Sequence, residues 1–160
     1  MQTLTCYLKD EAALLELAQE FAALSVPGLI ILLSGDLGAG KTCWVRGYLQ
    51  GLGYQGIVKS PTYTLVETYA TAKQKIAHFD LYRLMEAAEL EFIGLADYCD
   101  NQTTCLIEWP ERAEDRLPPA DLHCYLTIAG KGREFTGTAL SVQGEKILKS
   151  WQELNKKGAN

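Results

Sequence analysis

Lys41 and Thr42 close an eight-residue run, Gly35-Asp36-Leu37-Gly38-Ala39-Gly40-Lys41-Thr42, that meets the pattern G-x-x-x-x-G-K-[ST] at every fixed position. Residues of these types at this spacing are suited to gripping phosphate. Glycines let main-chain N–H groups turn inward around phosphate oxygens, and a helix that follows presents its positive N-terminal end. The Lys41 ammonium can reach the outer phosphates, and the Thr42 hydroxyl can ligate Mg²⁺. The bland alternative is a chance Gly-rich turn. It leaves the flanks unexplained: Leu29-Ile30-Ile31-Leu32-Leu33 reads as a buried strand ahead of the loop, and Cys43-Trp44-Val45-Arg46-Gly47-Tyr48-Leu49-Gln50 can be a helix behind it. Strand, loop and helix in that order are the setting the motif requires.

A phosphate site of this kind needs an acidic residue near Mg²⁺, usually at the end of an apolar strand beside the loop strand. Two positions compete. Asp80 ends Ile76-Ala77-His78-Phe79, and Glu108 ends Cys105-Leu106-Ile107. Asp is the more usual residue type, but Glu108 follows the cleaner buried run and is assigned to the metal. Asp80 is then expected to support that ligand or to position the attacking water. Either carboxylate can instead be a helix cap or half of a surface ion pair.

Ser60-Pro61-Thr62-Tyr63-Thr64 lies about twenty residues beyond Thr42, where many phosphate-loop proteins keep a mobile segment that senses the terminal phosphate and its metal. The hydroxyls of Ser60, Thr62 and Thr64 have the chemistry for that, although an ordinary loop leading into a strand reads equally well. Arg83, after Tyr82, and Arg133 can neutralise charge on a transferring phosphoryl group. An arginine with no known position is more often a surface residue. His78, alternating on a strand, reads as a hydrogen-bonded structural residue rather than a base.

Positioning these groups requires an α/β layer. Residues 3–8 alternate weakly, as in a short strand, and Asp10 offers an N-cap for a helix over 11–24, with Leu14, Leu15, Leu17, Ala18, Phe21 and Ala22 at helical spacing. Pro27-Gly28 stops it, and the loop helix is expected to end near Gly51 or Gly53. Residues 55–60 can hold a short strand. Residues 62–69, rich in Thr, Tyr and Val, read as another, joined by a hairpin over 72–75 to a strand over 76–82. Helical turns are expected over 86–92, 94–98 and 110–114, and a compact strand over 104–107. Residues 122–128 alternate cleanly and 133–142 form another strand, before a terminal helix over 144–154 and a frayed tail over 155–160. The order predicts a phosphate-loop NTPase-like three-layer sandwich around a mixed, mostly parallel sheet, with ligands beyond the carboxyl ends of its strands.

The chain of 160 residues suits one domain with a sizeable core. No stretch approaches the roughly 20 apolar residues of a membrane span, and the first residues show no basic-then-apolar secretory pattern, so the cytoplasm is the default expectation. Five cysteines at 6, 43, 99, 105 and 124, with no C-x-x-C pair, argue against a disulfide framework or a zinc site. Cys43 beside the loop reads more readily as a small apolar helix residue than as a redox centre. The net charge of −5 lacks the footprint of a protein that binds nucleic acid directly and strongly. Lys146, Lys149, Lys156 and Lys157 read as a solvated helix face.

Four segments in this order resemble one family, the bacterial tRNA threonylcarbamoyladenosine biosynthesis ATPases called TsaE (formerly YjeE). They are the phosphate loop, Ser60-Pro61-Thr62-Tyr63-Thr64-Leu65-Val66, His78-Phe79-Asp80-Leu81-Tyr82-Arg83-Leu84, and Ile107-Glu108-Trp109-Pro110-Glu111. The match spans about residues 29–117. The loop alone names only a superfamily, and the other three make the resemblance specific.

The resemblance implies a small Mg²⁺-dependent ATPase. It would act in forming threonylcarbamoyladenosine (t6A) at position 37 of tRNA, hydrolysing ATP in complex with TsaD-type and TsaB-type proteins without transferring the threonylcarbamoyl group itself. It implies phosphate binding by residues 38–43, Cys43 included, Mg²⁺ contacts from Thr42 and Glu108, and a catalytic carboxylate at Asp80. Residues 60–64 would sense nucleotide and Arg133 would touch it. The tRNA would be met only through the complex, which agrees with the acidic charge. Absence of an N-K-x-D segment favours ATP and ADP over guanine nucleotides. Two other classes fit the loop: a small-molecule kinase, which usually adds a basic lid not seen here, and a module that binds ATP without hydrolysing it.

Overall fold

The computed structural model describes residues 2–113 and 115–158. Its centre is β2 (Ile30–Ser34), which is apolar on both sides and therefore needs cover on both. Ile31 and Leu33 face one core; Ile30 and Leu32 face the other. The neighbours of β2 are β5 (Thr103–Glu108) and β6 (Leu122–Ala129), both parallel to it. Beyond β5 lie β4 (Lys75–Asp80), also parallel, and the antiparallel edge strand β3 (Val66–Ala70). Beyond β6 lie β7 (Gly132–Ala139) and β1 (Thr3–Leu8), each antiparallel to its neighbour. The seven-stranded order is β1-β7-β6-β2-β5-β4-β3, so the sheet is mixed with a parallel centre.

Helices α1 (Glu11–Leu24), α2 (Lys41–Gly51) and α5 (Val142–Gly158) cover one face. Asp10 caps α1 by accepting the Ala13 amide at 2.9 Å. Leu14, Leu17, Ala18, Phe21 and Ala22 form its buried stripe. The α1 backbone comes so close to α2 that a Cβ on Gly47 would stand 2.7 Å from the Leu15 carbonyl oxygen and 2.9 Å from Ala18 Cβ. Phe21 meets Trp44, Phe135 and Trp151 edge-on at 6.2, 5.5 and 6.0 Å. The opposite face packs Phe79, Leu81, Leu90, Leu95 and Ile107 beneath α3 (Glu89–Ile93), α4 (Leu95–Tyr98) and a 3-10 turn (Pro110–Ala113). These two faces and the sheet are the three layers expected.

Four expectations need correction. Residues 55–60 form no strand. Residues 62–65 are a turn, and β3 starts only at Val66: Leu65 takes a left-handed φ of 67° and its amide returns to the Pro61 carbonyl at 2.7 Å. Strand β7 ends at Ala139 and α5 begins at Val142, because Ser141 accepts the Gly144 amide at 3.1 Å and donates to Asp121 at 2.7 Å. The helix also continues past Leu154 to Gly158, anchored by buried Trp151, whose indole N–H donates to Glu20 at 2.7 Å. Of the expected frayed tail, residues 159 and 160 lie outside the described residues, as does residue 114 of the expected turn. The four α5 lysines are exposed. Among the described residues no helix is long and apolar enough to cross a membrane.

Candidate functional site

Parallel pairing brings the carboxyl ends of β2, β5 and β4 to one edge, with Leu33 opposite Glu108 and Glu108 opposite Asp80. The phosphate loop leaves β2 at that edge. Gly35 holds φ 144°, and a Cβ there would run into the Leu126 carbonyl. Gly40, at φ 111°, would push a Cβ to 2.6 Å from Leu14 Cδ2. Neither position has room for a side chain, so both glycines belong to the loop's shape. Gly40 is also the N-cap of α2 and supplies no side-chain cap, and the first turn holds no acidic residue. The leading N–H groups of α2 therefore have no helical acceptor, and they carry the positive end of its dipole. That cradle fits a phosphate.

Lys41 is buried, yet its ammonium is satisfied: it donates to the carbonyls of Gly35 and, at 2.9 Å, Asp36. It also lies 4.4 Å from the centre of the Trp109 ring. Burial draws the Lys41 pKa below its ordinary value, and the nearby carboxylates, Glu108 first and then Asp80, pull it back up. Trp109 reaches this place through a left-handed φ of 57° directly after β5, its amide donating to the Leu33 carbonyl at 3.2 Å. Sequence reasoning placed Trp109 in a motif but gave it no role; the only available signal was its position between the strand-ending Glu108 and Pro110.

The two carboxylates have separate partners. Glu108, 2% exposed, accepts the Thr42 hydroxyl at 3.0 and 3.1 Å and faces His78 Nε2 at 2.6 Å. Asp80 accepts Ser60 at 3.0 Å, Thr62 at 3.4 Å and the Tyr82 amide at 3.0 Å. Residues 60 and 62 thus reach the carboxylate from the 60–64 segment, whereas Thr64 turns away to Glu67 at 3.3 Å. Arg133 Nε donates to the Ala39 carbonyl at 2.8 Å and a terminal nitrogen to Gly38 at 3.3 Å, so this arginine braces the loop backbone. Arg83 stacks on Tyr63 at 4.6 Å. Cys43, on the first turn of α2, lines the cleft, and burial raises its thiol pKa to about 11.

These groups surround a cleft of about 600 Å³. Five cationic side chains line it (Lys41, Arg46, Arg83, Lys131 and Arg133), as do the acidic Asp10, Glu11, Asp80 and Glu108. The Thr42 hydroxyl and Glu108 carboxylate offer oxygen ligands suited to Mg²⁺. Among the described residues no group of three His, Cys, Asp or Glu side chains is arranged to hold a metal. An ion beside Thr42 and Glu108 would complete its shell from phosphate and water.

Comparison with known proteins gives the family and the fold. The family model described as threonylcarbamoyl adenosine biosynthesis protein TsaE matches residues 8–135. A Haemophilus influenzae protein named tRNA threonylcarbamoyladenosine biosynthesis protein TsaE is 43% identical over 156 residues, covering 94% of this chain and 99% of its own. The Bacillus subtilis protein of the same name is 39% identical over 132 residues, 82% of each chain. The crystal structure of Bacillus subtilis YdiB superposes with a TM-score of 0.84 at 30% identity, over 96% of this chain and 97% of that one.

Proposed function

This chain belongs to the threonylcarbamoyl adenosine biosynthesis protein TsaE family, and from that premise we propose that it is a Mg²⁺-dependent ATPase whose turnover is stimulated by TsaD-type and TsaB-type partners during t6A formation on tRNA. It would not transfer the threonylcarbamoyl group itself, and would meet tRNA only through those partners, in the cytoplasm. The observation that carries the reading is the Thr42–Glu108 contact at 3.0 Å beside an uncapped helix N-terminus.

In this reading the amides of residues 38–43 hold the phosphates, and Arg133 keeps the loop in shape through the Ala39 and Gly38 carbonyls. Lys41 leaves its two carbonyl partners to meet the outer phosphates. Thr42 and Glu108 hold Mg²⁺, which when bound supplies positive charge against the phosphate oxygens. Asp80, fixed through Ser60, Thr62 and the Tyr82 amide, orients the attacking water. Ser60 and Thr62 touch this carboxylate from a segment without regular structure, so a change at the terminal phosphate can be read out as a change of surface there.

Phosphate release from ATP is the direct test, measured with and without Mg²⁺ and with and without the two partner proteins. Stimulation by both is expected, and a Lys41→Ala variant should lose it. Stimulated release that survives in Lys41→Ala, or a chain that takes up no Mg²⁺–ATP even with the partners present, overturns the reading.

A further inference from the structure

We infer that His78 is a positioning residue for Glu108, fixing the rotamer in which that carboxylate faces Thr42. The inference rests on the metal-ligand reading of Glu108 given above. His78 is fully buried on β4, two residues before Asp80 and on the strand next to the one that carries Glu108. Its Nε2 lies 2.6 Å from Glu108 Oε2. Its other ring nitrogen, Nδ1, is buried and has no hydrogen-bond partner among the described residues. The whole polar capacity of this side chain is therefore spent on one carboxylate oxygen. A core position that needed only volume would be filled better by an apolar residue, because an orphaned ring nitrogen is unfavourable there.

The alternative support for Glu108 is weak. Thr42 has a single O–H, shared between the two carboxylate oxygens at 3.0 and 3.1 Å. That hydroxyl cannot by itself choose between them. His78 breaks the tie by holding Oε2 and leaving Oε1 without a ring donor. A carboxylate acceptor also requires a proton on Nε2. Imidazole–carboxylate pairs behind a metal ligand act in this way, orienting the ligand and reducing the rotameric freedom lost on binding.

Two measurements test this. The first needs no nucleotide: a ¹⁵N–¹H spectrum of the imidazole groups in the purified chain. With only two histidines in the sequence, the signal missing from His78→Gln identifies His78. The expected result is an Nε2-protonated ring, slow to exchange, whose N–H signal shifts in Glu108→Gln. A ring protonated on Nδ1 alone overturns the inference. The second is ADP affinity by calorimetry across a Mg²⁺ titration. His78→Leu should raise the Mg²⁺ concentration needed for half-maximal tightening by about tenfold, whereas His78→Gln, which keeps an N–H at similar reach, should recover most of that loss. Metal-free ADP affinity should stay near the unsubstituted value in both. An unmoved Mg²⁺ requirement in a folded His78→Leu chain, or equal losses in both variants, overturns the inference. If the unsubstituted chain shows no Mg²⁺-linked affinity at all, the metal-ligand reading fails instead, and the tautomer measurement still decides whether His78 holds Glu108. The same measurement decides the matter if His78→Leu does not fold.

Discussion

Asp80 and Glu108 stand opposite each other on adjacent parallel strands, yet among the described residues no hydrogen-bond partner is common to the two. Their roles should separate accordingly. Glu108→Ala is expected to shift the Mg²⁺ dependence of phosphate release to higher concentration. Asp80→Ala should lower turnover by about 10²-fold or more while keeping that dependence. Magnesium titrations of the two variants check this, and loss of Mg²⁺ dependence in Asp80→Ala alone would exchange the assignments. The thiols differ as sharply. Cys6 and Cys43 are pushed up to about 11, chiefly by burial. The half-buried Cys99 is drawn below its ordinary value by the hydrogen bond it shares with Cys105, whose sulfur lies 3.9 Å away. The thiolate is the reactive form. Iodoacetamide near neutral pH should therefore modify Cys99 first, and peptide mapping of a partial reaction would show another cysteine leading if the hydrogen bond were absent.

At the scale of elements, α1 and α2 approach each other closely, and Gly47 makes that approach possible. Gly47→Val is expected to force the helices apart and destabilise the fold by about 1–3 kcal/mol or more. Thermal unfolding measures it, and an unchanged midpoint would mean that the helices separate freely. This contact explains a glycine that helix propensity alone would count as a defect. Elements held by a local pattern were legible in the sequence: the apolar run of β2, the capped stripe of α1 and the alternation of β6. The segment before β3 was not. Its Thr and Tyr content suits a strand, but Pro61 lacks an N–H and Leu65 turns left-handed, so a turn wins. The site divides in the same way. Gly35, Lys41, Thr42 and Glu108 announce themselves by spacing and by the ends of apolar runs. The bracing role of Arg133 and the seat of Trp109 under Lys41 depend on which strands become neighbours, and no local pattern carries that information.

The whole molecule is a sheet with a core on each side, and the larger core is keyed by Phe21, whose ring touches residues from α2, β7 and α5. Phe21→Ala should therefore cost about 3–5 kcal/mol, read as a lower denaturant midpoint. A loss below about 1 kcal/mol would show that the cavity collapses and that the aromatic cluster contributes little. The distribution of charge has a different result. Five cations line one cleft, outnumbering the four carboxylates beside them, in a chain whose net charge is −5. A polyanion far from the surface meets repulsion, and the attraction takes over only within about a Debye length, roughly 8 Å at physiological salt. Added salt thins the outer barrier and also loosens the inner hold. Nucleotide arrival and departure should both quicken as ionic strength rises, so occupancy of the cleft is set by a compromise between getting in and staying in.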